Sequence, residues 1–164
     1  MVIIRHAALR DLDAITVIYN DAIVRTTATF DIEPKNSEQQ TAWFNEHDSK
    51  YKILVAEIDN ELVGWASLSR WSDRCAYADT AECSVYVKED RRNRGTGRKL
   101  LDALVDEARE SGLHTLIARI AEGNGASIHL CELAGFRHIG TMKEVGRKFG
   151  RRLDVHLMQL MLGE

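Results

Sequence analysis

The stretch from Ala81 to Ala118 limits the fold more than any other part of the chain. Ala81-Glu82-Cys83-Ser84-Val85-Tyr86-Val87 alternates as a β-strand does. Ala81, Cys83, Val85 and Val87 share one face, and Glu82, Ser84 and Tyr86 the other. A basic run with two glycines follows, Lys88 to Lys99. Leu100, Leu101, Leu104, Val105 and Ala108 then recur at helical spacing, and Gly112 stands where a helix is closed by a C′ glycine. Thr115-Leu116-Ile117-Ala118 is again a strand. A strand–helix–strand crossover of this kind puts the chain in the mixed α/β class.

The flanking segments fit that class. Val2-Ile3-Ile4-Arg5 reads as a short strand. Asp11 is placed to cap a helix whose apolar face is Leu12, Ile15, Ile18, Tyr19, Ala22 and Ile23. Thr26 to Asp31 reads as a loop. Ser37 with Gln40 fits a capping box ahead of a helix carrying Trp43 and Phe44. Ile53-Leu54-Val55-Ala56 is continuously apolar, which predicts burial on both faces. Asp59-Asn60 is a turn pair, so Leu62 to Leu68 should return as a hairpin. Ala126, Ile128, Leu130, Leu133 and Ala134 belong to a further helix ended by Gly135. Phe136 opens another strand, and Leu153 to Leu157 begins the last.

Bulk properties exclude several function classes. A length of 164 residues is that of one domain, taken as 1–164, with no repeat or internal boundary. Net charge is −3, so no general nucleic-acid surface is indicated. No stretch approaches the ~20 apolar residues of a membrane span. The N-terminus is charged too early for a signal peptide. Three cysteines without a CxxC pair argue against a disulfide framework and for a reducing cytoplasm. The six histidines form no HExxH or HxxxH pattern, so no metal is expected.

The chemistry concentrates in Arg92-Asn93-Arg94-Gly95-Thr96-Gly97, between a strand and a helix. A helix N-terminus presents backbone N–H groups and the positive end of its dipole, and glycines let an anion approach. Arg91, Arg92, Arg94, Arg98 and Lys99 add positive charge. The result reads either as a pyrophosphate cradle or as a solvated basic turn. Neither GxxxxGK[ST] nor GxGxxG is present, so ATP and NAD fit poorly.

Arg92-x-x-Gly95-x-Gly97, after Ser84-Val85-Tyr86-Val87, resembles the acetyl-CoA signature of the GNAT superfamily of N-acetyltransferases. Asn124-Gly125-Ala126-Ser127 through Leu133-Ala134-Gly135-Phe136 is similar to that superfamily's second motif. Ile18 to Ala22, Ala81 to Val87, Val145 to Gly150, Leu153-Asp154 and Met158 to Leu160 extend the resemblance over nearly the whole chain. They match the phosphinothricin and methionine sulfone/sulfoximine acetyltransferase group. The resemblance implies one GNAT-like domain: a mixed, mostly antiparallel sheet flanked by helices, with a splayed strand pair holding CoA.

It implies roles as well. Backbone groups of Val85, Tyr86 and Val87 would pair with the pantetheine arm. Asn93, Arg94, Gly95, Thr96, Gly97 and Arg98 would hold the pyrophosphate. Asn124 and Ser127 would touch the cofactor, and Asn124 is equally suited to an N-cap; the two roles can coexist. Glu82 corresponds to the group's general base for direct acetyl transfer, or is a salt-bridged strand residue. A carboxylate is a far weaker base than an amine, so desolvation or a water relay must help it. Cys131 stands where many members carry Tyr, and as a buried thiol reads first as packing.

For the substrate, the resemblance points to a small amino-acid-like amine. Relatives carry an Arg where this chain has Ala78, so Arg74 is the candidate partner for a carboxylate, or else a surface charge. Phe30 matches an aromatic lining position, or packs in the core. Lys148 and Phe149 lie in a segment that reaches a dimer interface near the site in relatives, which implies a homodimer. Within the same chemistry a protein N-terminal or polyamine acetyltransferase remains open. A non-catalytic acyl-CoA sensor is a third reading, disfavoured by Glu82.

Overall fold

The computed structural model describes residues 1–163. Seven strands form one sheet: β1 (Ile3–His6), β2 (Ile53–Ile58), β3 (Glu61–Arg70), β4 (Thr80–Val87), β5 (Thr115–Ala121), β6 (Arg137–Lys148) and β7 (Arg151–Met161). Their order is β1-β2-β3-β4-β5-β7-β6. Every neighbour is antiparallel except β4 and β5, which the crossover helix makes parallel. The expected mixed, mostly antiparallel sheet is the one found.

Helices cover both faces. α3 (Thr96–Glu110) and α4 (Gly125–Leu133) lie on one, α1 (Leu12–Arg25) and α2 (Ser37–Asn45) on the other. β2 shows why its sequence is apolar without alternation. Leu54 and Ala56 join Leu100 and Leu104 of α3, while Ile53 and Val55 pack with Ile15 and Ile18 of α1. Both expected helix stops hold. Gly112 and Gly135 have φ of 77° and 98°, and Leu113 and Phe136 return their N–H to Ala108 and Cys131 at 3.1 and 2.9 Å. The buried Leu113 and Phe136 complete two Schellman closures.

Three local expectations are corrected. Asp11 makes no side-chain cap on α1. Its carboxylate accepts from Arg5 at 2.7 and 2.8 Å and from the Ala8 N–H at 2.7 Å, because the strand β1 brings a guanidinium alongside. The capping box of α2 sits one residue earlier than Ser37. Asn36 accepts from the Gln39 N–H at 2.8 Å and donates its own to the Gln39 side chain at 2.9 Å, leaving Gln40 to be buried. The strand after Thr115 runs on to Ala121 rather than stopping at Ala118. Between Lys148 and Arg151, which pair, the chain turns through two residues. Phe149 and Gly150 have φ of 52° and 73°, as a tight hairpin of this hand requires.

The Arg5 guanidinium holds the Asp11 carboxyl below the ordinary carboxylate range, against the opposing effect of burial. A depressed folded value means stability present above the unfolded pKa and lost as pH falls. Asp11→Ala should therefore cost about 1–3 kcal/mol near neutrality. In urea titrations the gap to wild type should narrow only once pH drops below ~4. A gap that stays constant on acidification would show that the charge of Asp11 contributes nothing.

Candidate active site

The site begins where β4 and β5 part. They pair from Thr80 opposite Thr115 to Glu82 opposite Ile117, and no further. Beyond that point β4 stays on β3, as far as Val87 opposite Gly64, while β5 stays on β7. The β4 edge that faces β5 is therefore left without a ladder from Cys83 onward. Unpaired backbone groups inside a sheet are costly unless something supplies partners. This gap is the splayed strand pair implied by the sequence.

At its wide end lies a cleft of about 380 Å³. Val85, Tyr86 and Val87 form one wall, Asn93, Gly95, Gly97 and Arg98 another, and Asn124 with Ser127 a third. Gly95 stands at the N-cap of α3 with φ of 83°, a conformation that glycine adopts without penalty. Gly97 is different. A Cβ there would sit an ordinary 3.5 Å from Leu130, so the protein itself does not require glycine. The space matters only if something approaches the helix N-terminus from the cleft. Arg94 is exposed and lines no cleft, and Thr96 is buried with no partner for its Oγ1 among the described residues. Part of the basic flank is already engaged: Arg91 with Glu61 at 2.9 Å, Arg98 with Asp102 at 2.8 Å. Asn124 occupies the N-cap of α4 but makes no side-chain cap bond. Its Nδ2 donates to the Ala121 carbonyl at 2.9 Å and to Thr27 Oγ1 at 3.1 Å, which fixes the amide at the cleft wall.

The cleft continues through the sheet. A narrow neck of about 90 Å³ is bordered by Cys83, Ser84, Ala118 and Cys131. Beside it lies a second cleft of about 520 Å³. Ala28 and Tyr86 line all three spaces, which therefore adjoin one another along β4. Burial pushes the Cys131 thiol up to about 11 and raises Cys83 as well. Both are neutral thiols near pH 7, and Cys131 belongs to the core as its sequence suggested.

The second cleft holds Glu82. Its carboxylate is bound on both oxygens by Arg119, through Nε and, at 2.8 Å, through Nη2. Arg119 also lies over the Trp71 ring, 5.5 Å from its centre. The hydrogen bonds from Arg119 to Glu82 raise the guanidinium pKa further. Sequence reasoning passed over Arg119. The available signal was a single charge in the otherwise apolar run Leu116 to Ala121, two residues beyond the last β4–β5 pair.

The cleft's remaining wall is the loop Thr27 to Asp31. Tyr19 bridges Thr29, at 3.0 Å, and Asp31, and its hydroxyl pKa is raised by burial and by Asp31. Tyr86, stacked on Trp65 with centres 4.9 Å apart, forms the floor. Phe30 lines the cleft and lies on Gly146, where a Cβ would come within 2.1 Å of the ring. Lys148 is buried behind this loop and donates to the Thr29 carbonyl at 2.8 Å. Arg74 is exposed at the start of the short 3-10 helix Cys75–Tyr77, and Phe149 is 55% exposed at the hairpin tip. Neither residue lines any of these three spaces. Of the predicted substrate contacts, the fold thus gathers only Phe30 beside Glu82.

Comparison with known proteins agrees with this geometry. Residues 4–157 match the model of the acetyltransferase (GNAT) domain. An L-methionine sulfoximine/L-methionine sulfone acetyltransferase of Pseudomonas aeruginosa is 44% identical over 161 residues, covering 97% of this chain and 94% of its own. The structure of a GNAT superfamily phosphinothricin acetyltransferase from Sinorhizobium meliloti, in complex with acetyl-CoA, superposes with a TM-score of 0.95. It is 32% identical, over 99% of this chain and 89% of that one. A ribosomal-protein-alanine N-acetyltransferase from Brucella melitensis is 42% identical, with a TM-score of 0.94 over 97% of this chain and 99% of its own.

Proposed function

The chain belongs to the GNAT acetyltransferase family and is an acyltransferase; from that premise we propose that it moves acetyl from acetyl-CoA to the amino group of a small amino-acid-like substrate. Methionine sulfone, methionine sulfoximine and phosphinothricin define the type, after the names of its relatives. What supports this reading above all is the row of adjoining spaces that runs from an anion-suited helix N-terminus to a cleft that holds Glu82.

The residues present suit such a donor. The unladdered β4 edge at Val85, Tyr86 and Val87 offers backbone groups to an amide-bearing arm. The N–H groups of Thr96, Gly97 and Arg98 have no acceptor within α3 and suit a pyrophosphate, with Asn93 and Gly95 around them and the exposed Arg94 adding charge nearby. Asn124 and Ser127 close the other side. Acetyl-CoA supplies the acyl group as a thioester. The chain's task is to strip a proton from the substrate ammonium, and Glu82 takes that role, directly or through water, in a direct transfer. A thiolate whose parent thiol titrates near ~8.5 leaves without a dedicated acid, so Cys131 stays a packing residue. The second cleft's volume of about 520 Å³ suits a small molecule.

The Brucella neighbour's name favours one second reading, acetylation of a protein N-terminus. A thiol-release assay separates the two. Amino-acid sulfones, sulfoximines and phosphinothricin should be turned over, and a peptide with N-terminal alanine should not. Glu82→Gln should lower kcat by about 10²–10⁴ while acetyl-CoA affinity holds; a change below about threefold would leave Glu82 without the proton. Cys131→Ala should cost little beside it. Gly97→Glu should abolish acetyl-CoA binding in calorimetry without unfolding the chain, since the fold leaves room there.

We also propose a homodimer, active in the cytoplasm, where the free thiols of Cys75, Cys83 and Cys131 would stay reduced. β6 is an edge strand, and Ile139, Val145 and Phe149 on it and its tip are each more than half exposed. Long apolar edges need cover. Phe149→Asp should shift the protein to monomer in sedimentation at micromolar concentration and raise KM for the amine. A wild type that is already monomeric and fully active would remove the dimer. Lys148, tied to its own Thr29, would then serve the site only by holding the cleft loop.

A further inference from the structure

We infer that Arg119 is the residue that selects for a carboxylate on the acyl acceptor, and that its pairing with Glu82 in the free enzyme is the device that excludes simple amines. The inference rests on the reading of the chain as an amino-acid N-acetyltransferase.

Among the described residues lining the second cleft, Arg119 is the only cation, facing the two carboxylates Glu82 and Asp31. Asp31 is already engaged by the Tyr19 hydroxyl and stands 3.6 Å from Lys35. Glu82 is engaged by Arg119. The pair is therefore closed on itself, and it is asymmetric: the Glu82 side chain is 19% exposed, that of Arg119 53%. Arg119 uses Nε and Nη2 on Glu82, leaving Nη1 without an acceptor among the described residues. The Trp71 ring, 5.5 Å from the centre of the guanidinium, gives it a cation–π neighbour that does not depend on Glu82.

These facts define what can bind. An ammonium group that approaches Glu82 competes with the guanidinium that already holds both of its oxygens. A lone amine does this at the expense of leaving a guanidinium without its counter-ion in a partly desolvated cleft. A zwitterionic amino-acid head presents its carboxylate to Arg119 at the same moment as its ammonium to Glu82. One ion pair is then exchanged for two, and no charge is stranded. Arg119 passes from the carboxylate of Glu82 to that of the substrate, and Glu82, released, accepts the proton of the ammonium. A guanidinium meets a carboxylate with paired N–H donors, a geometry that an amide or ammonium in its place does not reproduce.

The test compares L-methionine sulfone with the amine left when that molecule loses its carboxyl group. The intrinsic basicities differ, but they differ equally for every enzyme variant. In the wild type, kcat/KM for the amino acid should exceed that for the amine by about 10²-fold or more. Arg119→Gln should collapse the ratio to within about tenfold, by slowing the amino acid while leaving the amine as fast or faster. Arg119→Lys, which keeps charge without the fork, should restore part of the ratio. Unchanged acetyl-CoA affinity by calorimetry confirms that each variant is folded. If Arg119→Gln slows both probes equally, Arg119 acts only on Glu82 and the assignment is overturned. A wild type that acetylates neither probe overturns the functional reading itself, and this assignment with it.

Discussion

The parting of β4 from β5 after Glu82 and Ile117 is the constraint on which the rest of the molecule turns. A parallel pair at the centre of a sheet normally runs its full length, because each unmatched N–H or C=O is costly. Here two antiparallel partners, β3 and β7, each hold one strand firmly and pull the pair apart. The wedge is occupied from one face by the start of α3 and by α4, whose Leu130 and Cys131 reach the neck. It is closed from the other by the loop Thr27 to Asp31. Glu82, Arg119, Asn124 and the glycines at the start of α3 all border the spaces around this opening. The sheet thus makes the site by failing to pair.

How far the sequence disclosed this depends on how local each signal is. Alternation in β4 put Glu82, Ser84 and Tyr86 on the cleft face correctly, because strand period needs no tertiary information. The two Schellman glycines and the glycine-rich entry to α3 were legible for the same reason. The failures are contacts between distant segments. Asp11 looks like a cap until β1 places Arg5 beside it. Lys148 looks like a free cation until β6 delivers it to a carbonyl 119 residues away in sequence. Arg119 is 37 residues from Glu82, and only the short β4–β5 register brings them together.

The same long-range logic explains how a loop can serve as a rigid wall. Thr27 to Asp31 has no ladder of its own, yet it is tied at several points. Thr27 receives the Asn124 amide, Thr29 receives the Lys148 ammonium, and Thr29 and Asp31 both engage the Tyr19 hydroxyl. Phe30 is seated over Gly146, where a side chain would collide with its ring. Burial lowers the Lys148 pKa, with Asp31 opposing. An ammonium held this way acts as a donor strut for the loop and is poorly placed to meet a ligand.

Beneath the loop, the aromatic column sets what the cleft can tolerate. Trp43, Trp65, Tyr86 and Tyr19 pack in sequence, with centres 5.3, 4.9 and 5.2 Å apart. Of the four, Tyr86 and Tyr19 also line the cleft that holds the Glu82–Arg119 pair. In such surroundings a charge without a partner is penalised more than in water. The floor therefore sharpens the choice made at the rim: the closer the charges sit to the aromatic stack, the more strongly the site favours a ligand that carries both signs. A cleft whose one cation is already paired, over a floor that penalises imbalance, distinguishes ligands by their charge pattern before it distinguishes them by their side chains.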